Sequence, residues 1–328
     1  MKVKKFLNYM EEIGVKKAVI LKKENINYFL NNYFPFAIAL VFEDHPYLYV
    51  GKLDKDYASS LDIEVREFKN WKEIFNNCDA VEEELPIKFL KYLNDYKIIS
   101  DKIREMRAIK DKDEIKKIEK AVNIVDRVMD YIYNNICYYN NEMILCAEIE
   151  YLMKKYGSIK PAFESIVISG KKTSYPHALP EDKKIEDILL IDIGAVYEGY
   201  CSDITRTFIL NNNEEMKKIY NLVKSAKEIV EEHLKEGVKT GYLDELVRKH
   251  FGEYNNYFIH SLGHGVGLEV HENPNFRENI TLKENMVITI EPGIYIKDKF
   301  GVRLEDMYLI KKNKAKKLSN AKMWEDEI

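Results

Sequence analysis

Leu189-Leu190-Ile191-Asp192-Ile193-Gly194-Ala195, followed by Gly199-Tyr200-Cys201-Ser202-Asp203-Ile204-Thr205-Arg206-Thr207-Phe208, reads as a buried apolar strand, a turn and a returning strand. An acid at the end of such a run is expensive to bury alone, because an isolated carboxylate loses its hydration and neutralises instead. By itself, Asp192 reads equally well as a mere strand end and Asp203 as a mere turn cap. As a pair they sit where one hairpin can aim both at a single cavity.

Three further segments carry similar residues. His260-Ser261-Leu262-Gly263-His264-Gly265-Val266-Gly267-Leu268-Glu269-Val270-His271-Glu272 packs three of the chain's seven histidines around three glycines. Glycine lets the backbone approach a ligand closely, and histidine is the commonest metal ligand or acid–base group near neutrality. Ile288-Thr289-Ile290-Glu291 ends an apolar run on an acid just before a Pro292-Gly293 turn signal. Gly301-Val302-Arg303-Leu304-Glu305-Asp306-Met307 places Arg303 and Glu305 at strand spacing on one face, which by itself reads as a surface salt bridge. Asp192, Asp203, His264, Glu291 and Glu305 form the candidate ligand set. Four buried carboxylates are tolerable around cations, and two divalent ions would balance them. An oxygen-rich set with a single imidazole suits manganese, iron or cobalt, with zinc also admissible, whereas structural zinc favours thiolates.

The composition, with 46% hydrophobic and 32% charged residues in a chain of 328, allows a large core and two domains. With 51 basic against 55 acidic residues, the chain lacks the basic excess of a nucleic-acid binder. The lysines from Lys311 to Lys317 read as a solvated terminal strand or tail. No apolar stretch approaches the roughly twenty residues needed to cross a bilayer. Glu11 and Glu12 follow the basic start where a signal peptide would have an apolar core, so the expected location is the cytoplasm. Cys78, Cys137, Cys146 and Cys201 are dispersed and read as small apolar residues. Glutamine is absent while lysine, glutamate and isoleucine abound, a bias that growth at high temperature or codon usage would both produce.

In the first hundred residues, 17–21 reads as a strand and 37–42 with 47–50 as a hairpin. The charged run Lys110-Asp111-Lys112-Asp113-Glu114 marks the entry to a second domain. From Ile115, the apolar residues Ile118, Ala121, Val122, Val125, Val128, Met129 and Ile132 recur at threes and fours, which predicts one long amphipathic helix. Further helices are expected over 142–156, 214–236 and 242–250, a strand over 163–170, and a rigid loop over 175–180.

The motifs resemble those of the pita-bread metallopeptidases, a family that includes prolidases, aminopeptidase P and methionine aminopeptidases. The shared pattern is two aspartates eleven residues apart, a Gly-His-Gly segment with a second histidine seven residues on, and two glutamates fourteen apart. The resemblance implies a creatinase-like α/β N-terminal domain over 1–103 that leans over the active site. An α+β pita-bread catalytic domain would follow over 104–328, in a homodimer. It implies two divalent ions per protomer, manganese or cobalt ahead of iron or zinc, with Asp203 and Glu305 bridging them. Asp192 would complete one ion, and His264 and Glu291 the other. A hydroxide bridging the ions would attack the peptide, with Glu291 as base and His271 stabilising the oxyanion. His177, which alone reads as a surface histidine, would border the scissile amide. His260 and Arg303 would line the substrate site, although Arg303 could instead orient Glu305, and Thr207 would support the metal carboxylates. Methionine aminopeptidases generally lack the extra domain, so the implied substrates are small proline-containing peptides. Cleavage of Xaa-Pro dipeptides is favoured, and release of the first residue from longer Xaa-Pro peptides is the alternative. A non-catalytic protein-binding module is the second alternative, which loss of a ligand would mark.

Overall fold

In the computed structural model, which describes residues 1–324, Ala37–Phe42 is the strand around which the first unit, Met1–Arg107, is built. Its side chains alternate between two apolar layers. Ala39 and Val41 join Val19, Tyr47, Phe75 and Phe89, while Phe42 meets the rings of Phe6 and Phe29 at centroid distances of 4.8 and 4.9 Å. The six-stranded sheet runs Glu64–Glu67, Pro46–Val50, Ala37–Phe42, Ala18–Ile20, Ala80–Val81, Lys97–Ile98. Ala37–Phe42 is antiparallel to both neighbours and the other pairs are parallel, so the expected hairpin sits inside a mixed α/β sheet.

The second unit begins at Ala108. Its charged entry is a helix cap: Asp111 accepts hydrogen bonds from the backbone of Asp113 and Glu114, and Glu114 reaches back to the Asp111 N–H at 2.9 Å. The helix runs Lys112–Asn135, and all seven apolar residues predicted for its inner face are buried. Helices Glu142–Lys155, Glu214–His233 and Thr240–Phe251 complete the helical layer.

Two antiparallel assemblies carry the rest of this unit. A three-stranded sheet orders Ile204–Ile209, Ile188–Ile193 and Ile166–Ser169. A five-stranded sheet orders Glu272–Asn275, His264–Gly265, Val287–Ile290, Asp306–Leu309 and Lys316–Lys317. The hairpin Val287–Ile290/Asp306–Leu309 breaks at Glu291-Pro292 and Leu304-Glu305, then continues as the separate pair Gly293–Ile296/Phe300–Arg303. Proline cannot donate to a ladder, so the pairing lapses there.

An ion cluster centred on the fully buried Asp306 holds the two assemblies together. Asp306 accepts from Arg206 at 2.7 Å, Lys227 at 2.5 Å, Lys317 at 2.6 Å and the Ser319 hydroxyl at 2.8 Å. These cations hold its carboxyl well below the usual range despite burial. Arg206 also donates to the carbonyls of Thr205 and Glu305, at 3.0 and 2.6 Å, and so ties one assembly to the other. No helix among the described residues is long and apolar enough to cross a membrane, and the four cysteines are unpaired. Because Asp306→Ala would strand two buried cations, Arg206 and Lys227, it should destabilise the protein by about 3–5 kcal/mol. Denaturant melts of the variant and parent test this, and a loss below about 1 kcal/mol would show that the cluster is not holding the sheets.

Candidate metal and active site

Strand register decides where the first two acids go. Asp192 stands opposite Thr205 in the ladder, and Asp203 immediately precedes Ile204–Ile209. Residues two apart share a face, so Asp203 and Thr205 present to the same side as Asp192. Between the strands the chain turns at Glu198 and Gly199, both with positive φ of 46° and 86°. It then crosses so close that a β-carbon on Gly194 would lie 2.3 Å from the Ser202 carbonyl.

Glu291 and Glu305 come from the two sides of the hairpin break. The Glu305 N–H donates to the Thr205 carbonyl at 3.1 Å, and its Oε2 accepts from Thr205 Oγ1 at 2.7 Å. Asp203, His264 and Glu305 each offer one ligand atom, all within 4.8 Å of one another. His264 Nε2 lies 3.4 Å from Glu291 Oε1 and 3.6 Å from Asp203 Oδ2. The charge of Asp192 acts on Asp203, Glu291 and Glu305, so all five expected ligands share one electrostatic site.

His264 is set by close packing on both sides. A β-carbon on Gly263 would lie 2.1 Å from the Thr289 carbonyl, and one on Gly265 would lie 2.4 Å from Asn273. His264 Nδ1 faces the Gly265 carbonyl at 3.2 Å, which assigns the proton to Nδ1 and leaves the Nε2 lone pair toward the acids. His271 is exposed and packs edge-on against His264, with centroids 4.2 Å apart at 83°. His177 is also exposed, in the loop after Gly170–Ser174, and its charge acts on His260 and His271.

Arg303 is buried and committed within the protein. It donates to Asp192 Oδ2 at 2.5 Å, to the Tyr295 hydroxyl at 2.8 Å and to Thr205 Oγ1 at 3.1 Å. The expected surface salt bridge with Glu305 is therefore replaced by an ion pair with Asp192, and Thr205 links Arg303 to Glu305. The Tyr295 hydroxyl in turn lies 2.9 Å from His260 Nε2, and His260 Nδ1 lies 2.8 Å from the Ser261 carbonyl. Sequence reasoning missed Tyr295 and Thr205. Thr207 does not touch the acids: its hydroxyl bonds the Arg303 backbone at 2.9 and 3.2 Å, because Glu305 lies beside Thr205 and Arg303 beside Thr207. Strand alternation narrows such hydroxyls to Thr205 or Thr207, and the cross-strand register decides between them.

The model of metallopeptidase family M24 matches residues 116–312. An uncharacterized peptidase of Methanocaldococcus jannaschii is 63% identical over 99% of this chain and 96% of its own length. The chain belongs to family M24. The Xaa-Pro dipeptidase of Pyrococcus horikoshii is 40% identical over 97% of this chain and 96% of its own. Its solved prolidase structure superposes with a TM-score of 0.92 at 38% identity, covering 98% and 99% of the two chains. The X-Pro aminopeptidase of Thermotoga maritima superposes at 0.87 with 30% identity, covering 98% and 99%. The fold is thus an α/β unit followed by a pita-bread catalytic unit, and the protein is a metallopeptidase, not a bare binding module.

Divalent metal is implied by the M24 family, and the side chains fit it. Asp192 Oδ1 and Glu305 Oε1 are buried without a hydrogen-bond partner among the described residues, a costly arrangement for carboxylates with only protein around them. In the metal-free protein, burial and then the Glu305 charge push Asp203 well above the usual carboxylate range, and burial likewise raises Glu291. Glu305 is pushed up to about 8, by burial first and then by Asp192. Burial and the neighbouring His271 lower His264 to about 3, so its imidazole is neutral and able to coordinate.

The linked stability has a definite sign. Carboxyls with raised folded-state values stabilise the metal-free fold fully below their unfolded value, and that contribution is lost as pH rises through the folded value. His264 acts oppositely, but its contribution is complete above 6.5. Between about pH 6.5 and pH 8 the metal-stripped protein should therefore lose stability, and the thermal shift on adding manganese should grow. Thermal melts with and without metal across that window check this; a shift that shrinks toward pH 8 would contradict it.

Proposed function

We propose that this metallopeptidase hydrolyses Xaa-Pro dipeptides and that Asp192, Asp203, His264, Glu291 and Glu305 hold two divalent cations. The observation that carries the metal assignment is the cluster of four acids in which Asp192 Oδ1 and Glu305 Oε1 are buried without a donor among the described residues. When bound, such ions supply Lewis acidity, polarising a scissile carbonyl and lowering the pKa of water. The prolidases among the relatives support the Xaa-Pro reading.

The protein groups around the cluster have separable roles. Glu291 faces both His264 and His260, with its Oε2 3.9 Å from His260 Nδ1, and its raised proton affinity suits it to take a proton from the attacking water and return one to the leaving nitrogen. The His271 pKa is lowered by partial desolvation of its ring and by the neighbouring His177, and its ring N–H can donate to the oxygen of the tetrahedral centre. His177 stands on an exposed loop near enough for its charge to act on His260 and His271, and can donate to the substrate.

His260 has both nitrogens occupied, Nδ1–H toward Ser261 and Nε2 accepting from Tyr295. Its ring, stacked edge-on with Phe258, can therefore act as a wall rather than as an acid. The amide nitrogen of an Xaa-Pro bond carries no hydrogen, so a site closed by such a wall leaves no donor unsatisfied. Arg303 holds Asp192 and the Tyr295–His260 chain in place and has little donor capacity left for a substrate carboxylate. Aminopeptidase P activity is the second reading, favoured by the aminopeptidase of comparable fold described above.

Two outcomes follow for the metal site. Reconstituted protein should hold two manganese ions per protomer by elemental analysis; full activity with one would remove the dinuclear reading. Loss of groups that merely support a ligand typically costs 10–100-fold, so Asp203→Asn and Glu305→Gln should each reduce kcat/KM by more than about a hundredfold. Normal turnover by either folded variant would show that the residue is not a ligand.

Substrate class is decided by comparing kcat/KM for Met-Pro, Met-Ala and Met-Pro-Gly. Met-Pro should be cut fastest, and His260→Ala should raise KM more than it lowers kcat. Preference for Met-Ala would remove the proline assignment. Preference for the tripeptide would move the enzyme to the aminopeptidase class.

A further inference from the structure

Glu142 is fully buried at the start of helix Glu142–Lys155 and lies outside the ligand cluster. Its carboxylate is used at both oxygens. Oε1 accepts from the Ser169 N–H at 2.6 Å and from the Ser169 hydroxyl at 2.7 Å, and Oε2 accepts from the Glu181 N–H at 3.1 Å. Ser169 is the last residue of strand Ile166–Ser169, and Glu181 lies just beyond the His177 loop. One carboxylate thus grips the chain on both sides of His177.

The rest of the loop is braced at its edges, and His177 is left exposed at the middle. Lys183 lies 3.4 Å from Glu142 and donates to the Ser169 carbonyl at 3.3 Å, while Lys172 pairs with Glu181 at 2.6 Å. The Thr173 hydroxyl accepts from the Gly301 N–H at 2.8 Å, and the Tyr175 hydroxyl donates to Asp298 at 2.9 Å. Beside His177, the Pro176 carbonyl lies 3.5 Å from Arg303 Nη1, the guanidinium that also holds Asp192. The loop is therefore closed at both ends by Glu142 and registered to the acid cluster beside His177.

We propose that Glu142 is the positioning residue for His177: its buried carboxylate closes the loop so that the imidazole is held over the reacting bond. This rests on the peptidase reading, in which His177 touches the substrate. Three donors converge on this charge, two from backbone N–H groups and one from a hydroxyl, and hydrogen bonds to an ionised acceptor are the stronger kind. A loop of this length without such a closure would have to order itself anew for each substrate, at an entropic cost.

The test is a double-mutant cycle on the manganese-loaded enzyme with Met-Pro as substrate, using Glu142→Gln and His177→Ala. Glutamine keeps the shape but removes the charge and turns one acceptor into a donor facing an N–H. With His177 present, Glu142→Gln should lower kcat/KM by about tenfold, mostly in kcat, with metal content unchanged. In the His177→Ala background the same change should cost less than about twofold. Equal losses in both backgrounds would show a general structural effect and overturn the proposal, as would no loss with His177 intact. If His177→Ala alone is fully active, the role of His177 falls and the proposal with it. If His177→Ala is impaired but the two changes are additive, the positioning role of Glu142 alone fails. Should Glu142→Gln not fold, Ser169→Ala removes one of the three donors and must show the same dependence on His177, or the proposal is lost.

Discussion

The constraint on which the catalytic unit depends is mutual repulsion among carboxylates that the fold buries together. Asp203 feels Glu305, Asp192 and Glu291 at once, and the one nearby guanidinium, Arg303, is already paired with Asp192. Without further positive charge, such a cluster escapes by taking up protons, as the raised affinities of Asp203, Glu291 and Glu305 record. Cations offset the same repulsion without neutralising the acids. The site is thereby poised between a protonated, metal-free form and an ionised, metal-loaded one, with the protein frame common to both.

That frame is held from the opposite side of the strands. Thr205 and Glu305 face the acids, whereas their neighbours Arg206 and Asp306 form the buried ion cluster behind them. Alternation along the chain makes this division: Thr205 is followed by Arg206 and Glu305 by Asp306, each on the opposite face. Arg206 reaches back to the Thr205 and Glu305 carbonyls, so the anchoring charges fix the backbone from which the ligands project. Replacing a buried pair by apolar residues can be neutral for stability in general. Here the geometry adds a positional role, because Arg206 bonds the backbone carbonyls of Thr205 and Glu305, beside the clustered acids.

How much of this was legible beforehand follows from the range of each interaction. The long helix was readable because its pattern is local, and all its predicted inner residues are buried. The four acids and one imidazole of the cluster were readable as chemistry, the acids from their places in or beside apolar segments and His264 from its flanking glycines, and the family resemblance then joined them. The capping box at Asp111 had its signature in the charged run, which was read only as a boundary. The partner of Arg303 was not readable: Asp192 is distant in sequence, and spacing along the strand pointed to Glu305 instead. Thr205 and Thr207 were indistinguishable until the ladder placed Glu305 beside the first. Glu142, with the pattern of an ordinary acidic residue in a first helical turn, gives no sign in sequence that it is wholly buried.

The two kinds of residue in the site sit on different kinds of support, and this has a consequence for how substrate choice can vary. Asp192, Asp203, Glu291 and Glu305 belong to strands or to the break between paired strands, where ladders and the rear ion cluster leave little freedom. His177 and His271 belong to exposed loops, each positioned by a few side-chain contacts. A change in loop length or bracing can move these histidines, and, on the roles proposed for them above, the fit to the residues flanking the scissile bond, while the acids stay in register. Prolidases and an X-Pro aminopeptidase both superpose closely on this chain, which agrees with discrimination residing in the loops and not in the sheet. Ligand chemistry alone therefore cannot separate dipeptide from longer-peptide cleavage. The separation has to come from the exposed loops, where bracing such as that proposed for Glu142 sets the geometry.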